Sequence, residues 1–394
     1  MKNFNYLLIL FGLIFYSNIC FSQNYYVSPF GNDNDNGSEM TPWRTIQKAC
    51  SSATVGSIVF IKAGIYNELD VTMMVQGTPN NFITFKNYGN DFVTLKRTDA
   101  ASIKKMIRIK DKSYIRFQGL IFADFNYSIW GGCVFIEGNS HHIEIINCEF
   151  KNLNGRGSSI VFETPSGDHN SILIKGNKFH HCDSPTYNPA MYMYTGYGDS
   201  IKIINNEIYN ITCERSTKAI VIEGSDSLLS FKNMIIDSNR IHDCDVDSGE
   251  AISTSGNVEY FTISHNTIYN IDNIGIGIAG GYNVCSNLSK DFSRYFKIFE
   301  NVVYNCRHDF GVAAGIYLNG ANNCVIERNT IYESNQGINI GSETGISTYN
   351  NIIRSNNVYN CDRTGILVGE YGFSGTVDSC KVLNNTIFKD QLMI

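Results

Sequence analysis

Asn239–Gly281 reads NRIHDCDVDSGEAISTSGNVEYFTISHNTIYNIDNIGIGIAGG. Two short motifs recur inside it. Asn-x-Ile-(His/Tyr) stands at Asn239 and again at Asn266, and a small residue followed by alternating Ile or Thr stands at Ala251 and Gly275. Outward from this stretch, the first motif returns at Asn177, Asn206, Asn301, Asn329, Asn356 and Asn385, with Gly119 and Cys148 in the Asn place of two earlier copies. Successive anchors lie 27 to 35 residues apart, and no copy carries an uninterrupted helical period. The second motif returns at Ala219–Gly224, Gly315–Gly320 and Gly337–Ser342. Period-two alternation turns Ile220, Ile222, Ile252, Ile276, Ile278, Ile316 and Leu318 inward. Units this short cannot bury a core alone. Stacked, they can, and the architecture expected is all-β, a parallel β-helix of about ten coils.

The same register assigns the anchor Asn and the cysteines. A stacked Asn at each turn hydrogen-bonds to the Asn of the neighbouring coil and satisfies polar groups at the corner. Cys182, Cys244, Cys306 and Cys361 fall five residues after an anchor, where Leu153 and Ile271 stand in other copies. A position shared by Cys and aliphatic residues is an interior one. We therefore expect buried thiols, with a disulfide framework as the alternative.

Charged residues make up only 17% of the chain and the net charge is -6, which excludes a strongly basic nucleic-acid surface. Lys2, the apolar run Leu7–Tyr16 and the small residues at Cys20 and Ser22 form a secretory leader over 1–22. The run is short for a membrane span and no later stretch is apolar enough, so the expectation is an exported protein (periplasmic, extracellular or cell-surface) with no transmembrane segment. We take it to be a monomer.

Residues 23–100 read as an opening and capping module, and 101–394 as the repeats. Thr45–Cys50 has helical apolar spacing. A short helix there covers the open end of a stacked sheet. The loop Asn32–Gly37 has the acidic spacing of a calcium loop without its later Glu, which reads as a solvated turn. No capping segment follows Asn385 in this sequence, so the repeats are expected to lack a C-terminal cap.

Residues at one phase of adjacent coils become neighbours in space, about 4.8 Å apart. The small residues Ala190, Ala219, Ala251, Gly275, Gly315, Gly337 and Gly365 are expected outward, leaving a trough. Tyr192, Tyr194, Ser253, Ser255, Tyr317, Asn319 and Asn339 stand beside it. A trough lined by aromatic and hydrogen-bonding groups suits an extended sugar chain. Lys218 and Glu250 share one phase in consecutive coils. They are either a surface ion pair or catalytic groups, with Lys218 abstracting a sugar C5 proton. Asp243, Asp245 and Asp247 crowd the turn before Glu250, either as Ca²⁺ ligands or as a solvated acidic turn. Arg307, in Arg307-His308-Asp309 two coils later, is a candidate contact for anionic sugar, far along the rod from Asp243. Glu223 and Glu250 would sit too far apart for a glycosidase pair.

Tyr25-Tyr26-Val27-Ser28-Pro29 with Gly31 and Asp33, Pro42–Ala49, and Ala63-Gly64-Ile65-Tyr66 resemble the opening of secreted pectate-lyase-like proteins, family-nine pectate lyases among them. The resemblance covers essentially the whole mature chain. It implies a right-handed, single-stranded parallel β-helix. It also implies calcium-assisted β-elimination on an acidic, uronate-containing polysaccharide such as pectate, an activity shared more distantly with family-six alginate and chondroitin lyases. Laid on that family, Ser255 stands at the place of the Lys base and Gly277 at that of an Asp ligand. Two further functions stay open: a β-helix glycoside hydrolase, and a non-catalytic carbohydrate-binding or surface β-helix.

Overall fold

A computed structural model describes residues 23–389, apart from 69, 98–104, 164–166, 185–188, 195, 214–215, 310–312 and 370–374. The leader expected over 1–22 lies outside the described residues. Three parallel ladders run along the molecule. The first has thirteen strands, from Asn24–Val27 to Lys381–Leu383. The second holds the Asn-anchored strands, among them Arg240–Cys244, Thr267–Ile271 and Val302–Cys306. The third holds the small-Ile-x-Ile strands, including Ile220–Gly224, Glu250–Gly256, Ile274–Ala279, Ala314–Asn319 and Gln336–Gly341. Ile121–Glu137 and Glu149–Phe162 run through the corner and belong to both of the last two ladders. Each strand pairs in parallel with its counterpart one repeat away, so the expected parallel β-helix is the fold.

The interior is built from period-two apolar residues. Ile220 pairs with Ile252, Ile252 with Ile276, Ile276 with Ile316 and Ile316 with Ile338, and all five are fully buried. Phe122, Phe150 and Phe179 stack face to face inside, with ring centres 4.7 Å apart at each step. The anchor asparagines form an unbroken inner ladder. Each Nδ2 from Asn177 to Asn356 donates to the Oδ1 of the next anchor at 2.9–3.0 Å, ending on Asn385. The same Nδ2 groups also donate to a backbone carbonyl, as Asn266 does to Ile236 at 2.9 Å. Cys182, Cys244, Cys306 and Cys361 are buried and free, as the register predicts. Burial pushes the thiols of Cys182, Cys244 and Cys306 up to about 12.

The capping helix is present as Ile46–Ser52, with Thr45 as its N-cap. Asp33 accepts from the Arg44 and Thr45 N–H groups, and Glu68 from those of Ile46 and Gln47. Glu68 thus occupies the first two N–H donors of the helix, and Asp33 fixes the two residues that lead into it. Asp33 is a structural residue here.

One expectation fails. The column Ala190, Ala219, Ala251, Gly275, Gly315, Gly337, Gly365 does not form an outward trough. Its three alanines are fully buried. A Cβ on Gly275 would meet Val303 Cγ1 at 2.7 Å, and one on Gly337 would meet Val358 Cγ1 at 2.3 Å. The column lies at the inner corner between the second and third ladders. These residues are small because the opposing strand's side chains fill the space.

Candidate functional site

The outward face of the third ladder carries the column Val221, Ser253, Gly277, Tyr317, Asn339 in successive coils. Beside it, Ala279 pairs with Asn319 and Asn319 with Gly341. Two loops rise over this face, and between them lies a cleft of about 430 Å³ lined by Glu250, Asn273, Gly277, Tyr282, Tyr317, Asn319, Asn339, Ser342 and Glu343. The loop after Gly341 turns back over two earlier coils, where Thr344 Oγ1 donates to the Gly280 carbonyl at 2.7 Å. Gly281 has φ +81, and a Cβ there would fall 2.3 Å from Thr344 Oγ1. Glycine is therefore required for both the bend and the crossing.

That crossing delivers Glu343. Its carboxylate accepts from Tyr317 Oη at 3.0 Å, Tyr282 Oη at 3.2 Å and Asn319 Nδ2 at 3.3 Å. Its backbone N–H donates to Asn319 Oδ1 at 2.8 Å, and Asn319 Nδ2 donates to Tyr282 Oη at 2.7 Å. Burial, then the charges of Glu343 and Glu250, raise the Tyr282 hydroxyl well above its ordinary value, so it stays a donor. Both carboxylates are therefore within electrostatic reach of one phenol.

Glu250 enters the cleft from its other end. Lys218 Nζ lies 3.5 Å from Glu250 Oε2, the ion pair that the shared phase predicts. Glu250 Oε2 has no hydrogen bond among the described residues, and neither do Asn339 Oδ1 and Ser342 Oγ. Glu223 is raised by burial, a shift opposed by Lys218 and by the Tyr192 hydroxyl and reinforced by Glu250. In register Glu223 pairs with Ser255, five residues beyond Glu250, so the two carboxyl groups start from opposite ends of the strand, as the spacing implies. Tyr192 and Tyr194 stack with centres 4.7 Å apart and donate to Glu223 at 2.8 Å and Glu163 at 2.6 Å. The two tyrosines extend the same face toward earlier coils. They are not in the Glu250–Glu343 cleft, whereas Tyr317 and Asn319 are.

The aspartates resolve differently. Asp243 is on the strand Arg240–Cys244, not in a turn, and its φ is +52. It occupies the left-handed corner that Asn270 and Asn305 occupy in the next coils. There it accepts from Asn270 Nδ2 at 2.7 Å and pairs with His242 Nδ1 at 2.7 Å. Asn305 continues this outer ladder by donating to Asn270 at 2.8 Å. Asp245 is bridged to Thr212 through the backbone. Asp247 lies beyond, also left-handed at φ +52. Among the described residues no three Asp, Glu, His or Cys side chains converge as a cation's ligands would. Asp243, Asp245 and Asp247 form no such group among the described residues. Arg307 is nearer than expected, lining one open groove with Asp243, Asp245 and Asp272, because stacking brings coils together. It is paired with Asp362 and held by Asn305 Oδ1 at 3.0 Å.

Sequence reading missed Glu343 and Tyr282. Both sit on loops outside the repeat, so no phase argument reaches them. The only local signals are Gly280-Gly281 before Tyr282 and the acid directly after a strand end at Ser342.

Residues 25–192 match the family model described as "Pel9A-like, right handed beta helix region", and residues 288–390 match "Right handed beta helix region". The uncharacterized protein YwoF of Bacillus subtilis is 28% identical over 367 residues, 88% of this chain, and the chain spans 64% of that relative's length. Among solved structures, the GH136 lacto-N-biosidase of Eubacterium ramulus aligns at TM-score 0.64 and 12% identity, over 93% of this chain and 68% of the other. The A-module of the Azotobacter vinelandii mannuronan C-5 epimerase AlgE6 aligns at TM-score 0.55 and 12% identity, over 85% and 92%. At such identity the two structures speak for the fold alone. No helix among the described residues is long and apolar enough to cross a membrane. By its repeats, its ladders and these matches, the chain has the right-handed parallel β-helix fold, with a region over residues 25–192 that matches the Pel9A-like model.

Proposed function

We propose that this chain is an exported, polysaccharide-active protein that lays a glycan along its third ladder and hydrolyses it in the cleft between Glu250 and Glu343. The observation that carries this reading is the pair of carboxylates, Glu250 and Glu343, lining one cleft. Glycoside hydrolysis needs two carboxyl groups flanking the scissile bond. Glu343, fixed by three donors, suits the carboxylate that activates water or attacks the anomeric carbon. Glu250, lining the same cleft, is the second carboxyl group that such a reaction needs. The leader-like segment 1–22 supports export.

β-Elimination on a uronate, with Lys218 as base and Ca²⁺ at Asp243, Asp245 and Asp247, is the second reading. Lys218 beside Glu250 favours it. Against it, an ammonium set between Glu250 and Glu223 is placed to neutralise charge rather than to take a proton, and the three aspartates do not converge.

The test offers the purified protein neutral and acidic polysaccharides, with calcium and with chelator, and follows reducing ends and unsaturated-product absorbance. Hydrolysis predicts new reducing ends without unsaturation, indifferent to chelator and reduced roughly 10²–10⁴-fold in Glu250→Gln and Glu343→Gln. Unsaturated product lost in Lys218→Ala would establish the second reading instead. Binding with no product from any polymer would sink both in favour of a carbohydrate-binding protein.

A further inference from the structure

We infer that the Glu250–Glu343 cleft selects a sugar without a carboxylate, so that the substrate is an uncharged glycan rather than the acidic one the pectate-lyase resemblance implies. This rests on the glycan reading above and narrows it. Three carboxylates, Glu223, Glu250 and Glu343, stand in or beside the cleft, and the ammonium of Lys218 is shared between the first two. Glu343 has no cation within ion-pair distance among the described residues. A uronate entering here brings a like charge toward Glu343 in a partly desolvated space, where repulsion is weakly screened.

Hydrogen bonding points the same way. The side-chain donors Tyr282 Oη, Tyr317 Oη and Asn319 Nδ2 are all aimed at Glu343. Among the described residues, the buried polar atoms of the cleft without a hydrogen bond are oxygens: Glu250 Oε2, Asn339 Oδ1 and Ser342 Oγ. Asn339 is 5% exposed and Ser342 2% exposed, so water does not readily serve them. Buried acceptors of this kind are satisfied by a ligand that donates. Sugar hydroxyls donate. A carboxylate only accepts: it could take the Ser342 Oγ proton but would leave Glu250 Oε2 and Asn339 Oδ1 unpaired, where the hydroxymethyl group of a neutral sugar can donate to either.

The experiment uses matched pairs of polymers that differ only at C6: polygalacturonate, polymannuronate and polyglucuronate, each beside its carboxyl-reduced counterpart. Retention of the full chain is measured by affinity electrophoresis at low and high salt. The expected result is that the reduced member of at least one pair binds roughly tenfold or more tightly at low salt. High salt should narrow the gap by screening the repulsion. Glu343→Gln should narrow it at low salt, with a thermal melt confirming that the variant is folded. The salt comparison needs no variant and stands if Glu343→Gln misfolds. An acidic member that binds as well as its reduced partner, or better, overturns the inference while leaving the glycan reading intact. No retention of either member in any pair removes the glycan reading itself, and this inference with it.

Discussion

A Cβ placed on Gly277 would lie 2.7 Å from Cγ of Glu250, so the glutamate of one coil lies across the glycine of the next. The register makes this contact unavoidable: Ser253 pairs with Gly277 and Glu250 with Ile274, which brings the two residues onto adjacent rungs. In the lyase alignment this is the position of an Asp ligand. Here its lack of a side chain gives Glu250 its path into the cleft.

Gly277→Ala is the direct test of that relationship. Gly277 is not among the glycines with left-handed φ, so alanine is compatible with its backbone. The clash is with a side chain that can swing, and the stability cost should stay near ~1 kcal/mol. Displacing the carboxylate by about an ångström should lower turnover roughly 10–100-fold. Steady-state kinetics beside a denaturant titration separates the two effects. Full activity in a folded variant would remove Glu250 from the chemistry.

The inner and outer Asn ladders should differ sharply in energetic weight. Asn266 is fully buried, donates to Ile236 O and Asn301 Oδ1, and accepts from the N–H and Nδ2 of Asn239. Asn266→Ala leaves several buried groups without partners, at a cost of about 2–4 kcal/mol. Asn270, on the exposed outer ladder, loses bonds that water replaces, and Asn270→Ala should cost under about 1 kcal/mol beyond its backbone preference for φ +53. Chemical denaturation of both variants checks the contrast, which disappears if the inner ladder is decorative.

These two positions also mark what the sequence could tell. Asn266 and Asn270 are four residues apart, and the recurrence of Asn266 alone located every coil, its inward Ile neighbours and its buried Cys phase. A repeat constrains whatever is stacked on itself, and the fold is that stacking. Asp243 looked like a metal ligand because acids crowd near it. Set in register it is a corner residue in the place of Asn270, and the crowding is spread over alternate, diverging positions. The small column at Ala251 and Gly275 was assigned to the wrong face, since a size pattern does not say which neighbour demands it. Lys218 and Glu250 were found by phase. Glu343 and Tyr282 were not, because they come from loops that cross coils, and loop paths leave no period behind.

Thiol chemistry offers a test of the interior. Every described cysteine except Cys380 is buried, and the stacked Cys182, Cys244, Cys306 and Cys361 are free thiols. Burial pushes Cys148, Cys182, Cys244, Cys306 and Cys324 up to about 12, so at pH 8 only about one in 10⁴ of each is thiolate. Native protein should react with an aromatic disulfide reagent at Cys380 alone, slowly elsewhere, and completely after unfolding in guanidinium. Mass and electrophoretic mobility should be unchanged by reductant. Rapid native labelling of several thiols, or a reductant-sensitive mobility, would mean that the stacked cysteines are not packed as a core.

His169 should add to the protein's acid sensitivity as pH falls below about 6.5. It is fully buried, with its ring edge-on to Phe162 at 5.4 Å, and burial lowers it to about 4. In the unfolded chain it titrates near ~6.5. Between those values the unfolded state binds the proton and the folded state does not. The stability that neutral His169 confers is therefore complete above about pH 6.5 and is lost progressively as pH falls toward 4, by up to about 3 kcal/mol. His169→Leu keeps an apolar side chain of similar size and has no proton to bind. From pH 7.5 to 4 the denaturant midpoint of the variant should rise relative to that of the native protein, with the variant the flatter of the two. Carboxylate contributions enter both curves alike and cancel in the difference. Parallel curves across the window would mean that His169 is charged or solvated in the folded protein, contrary to its burial.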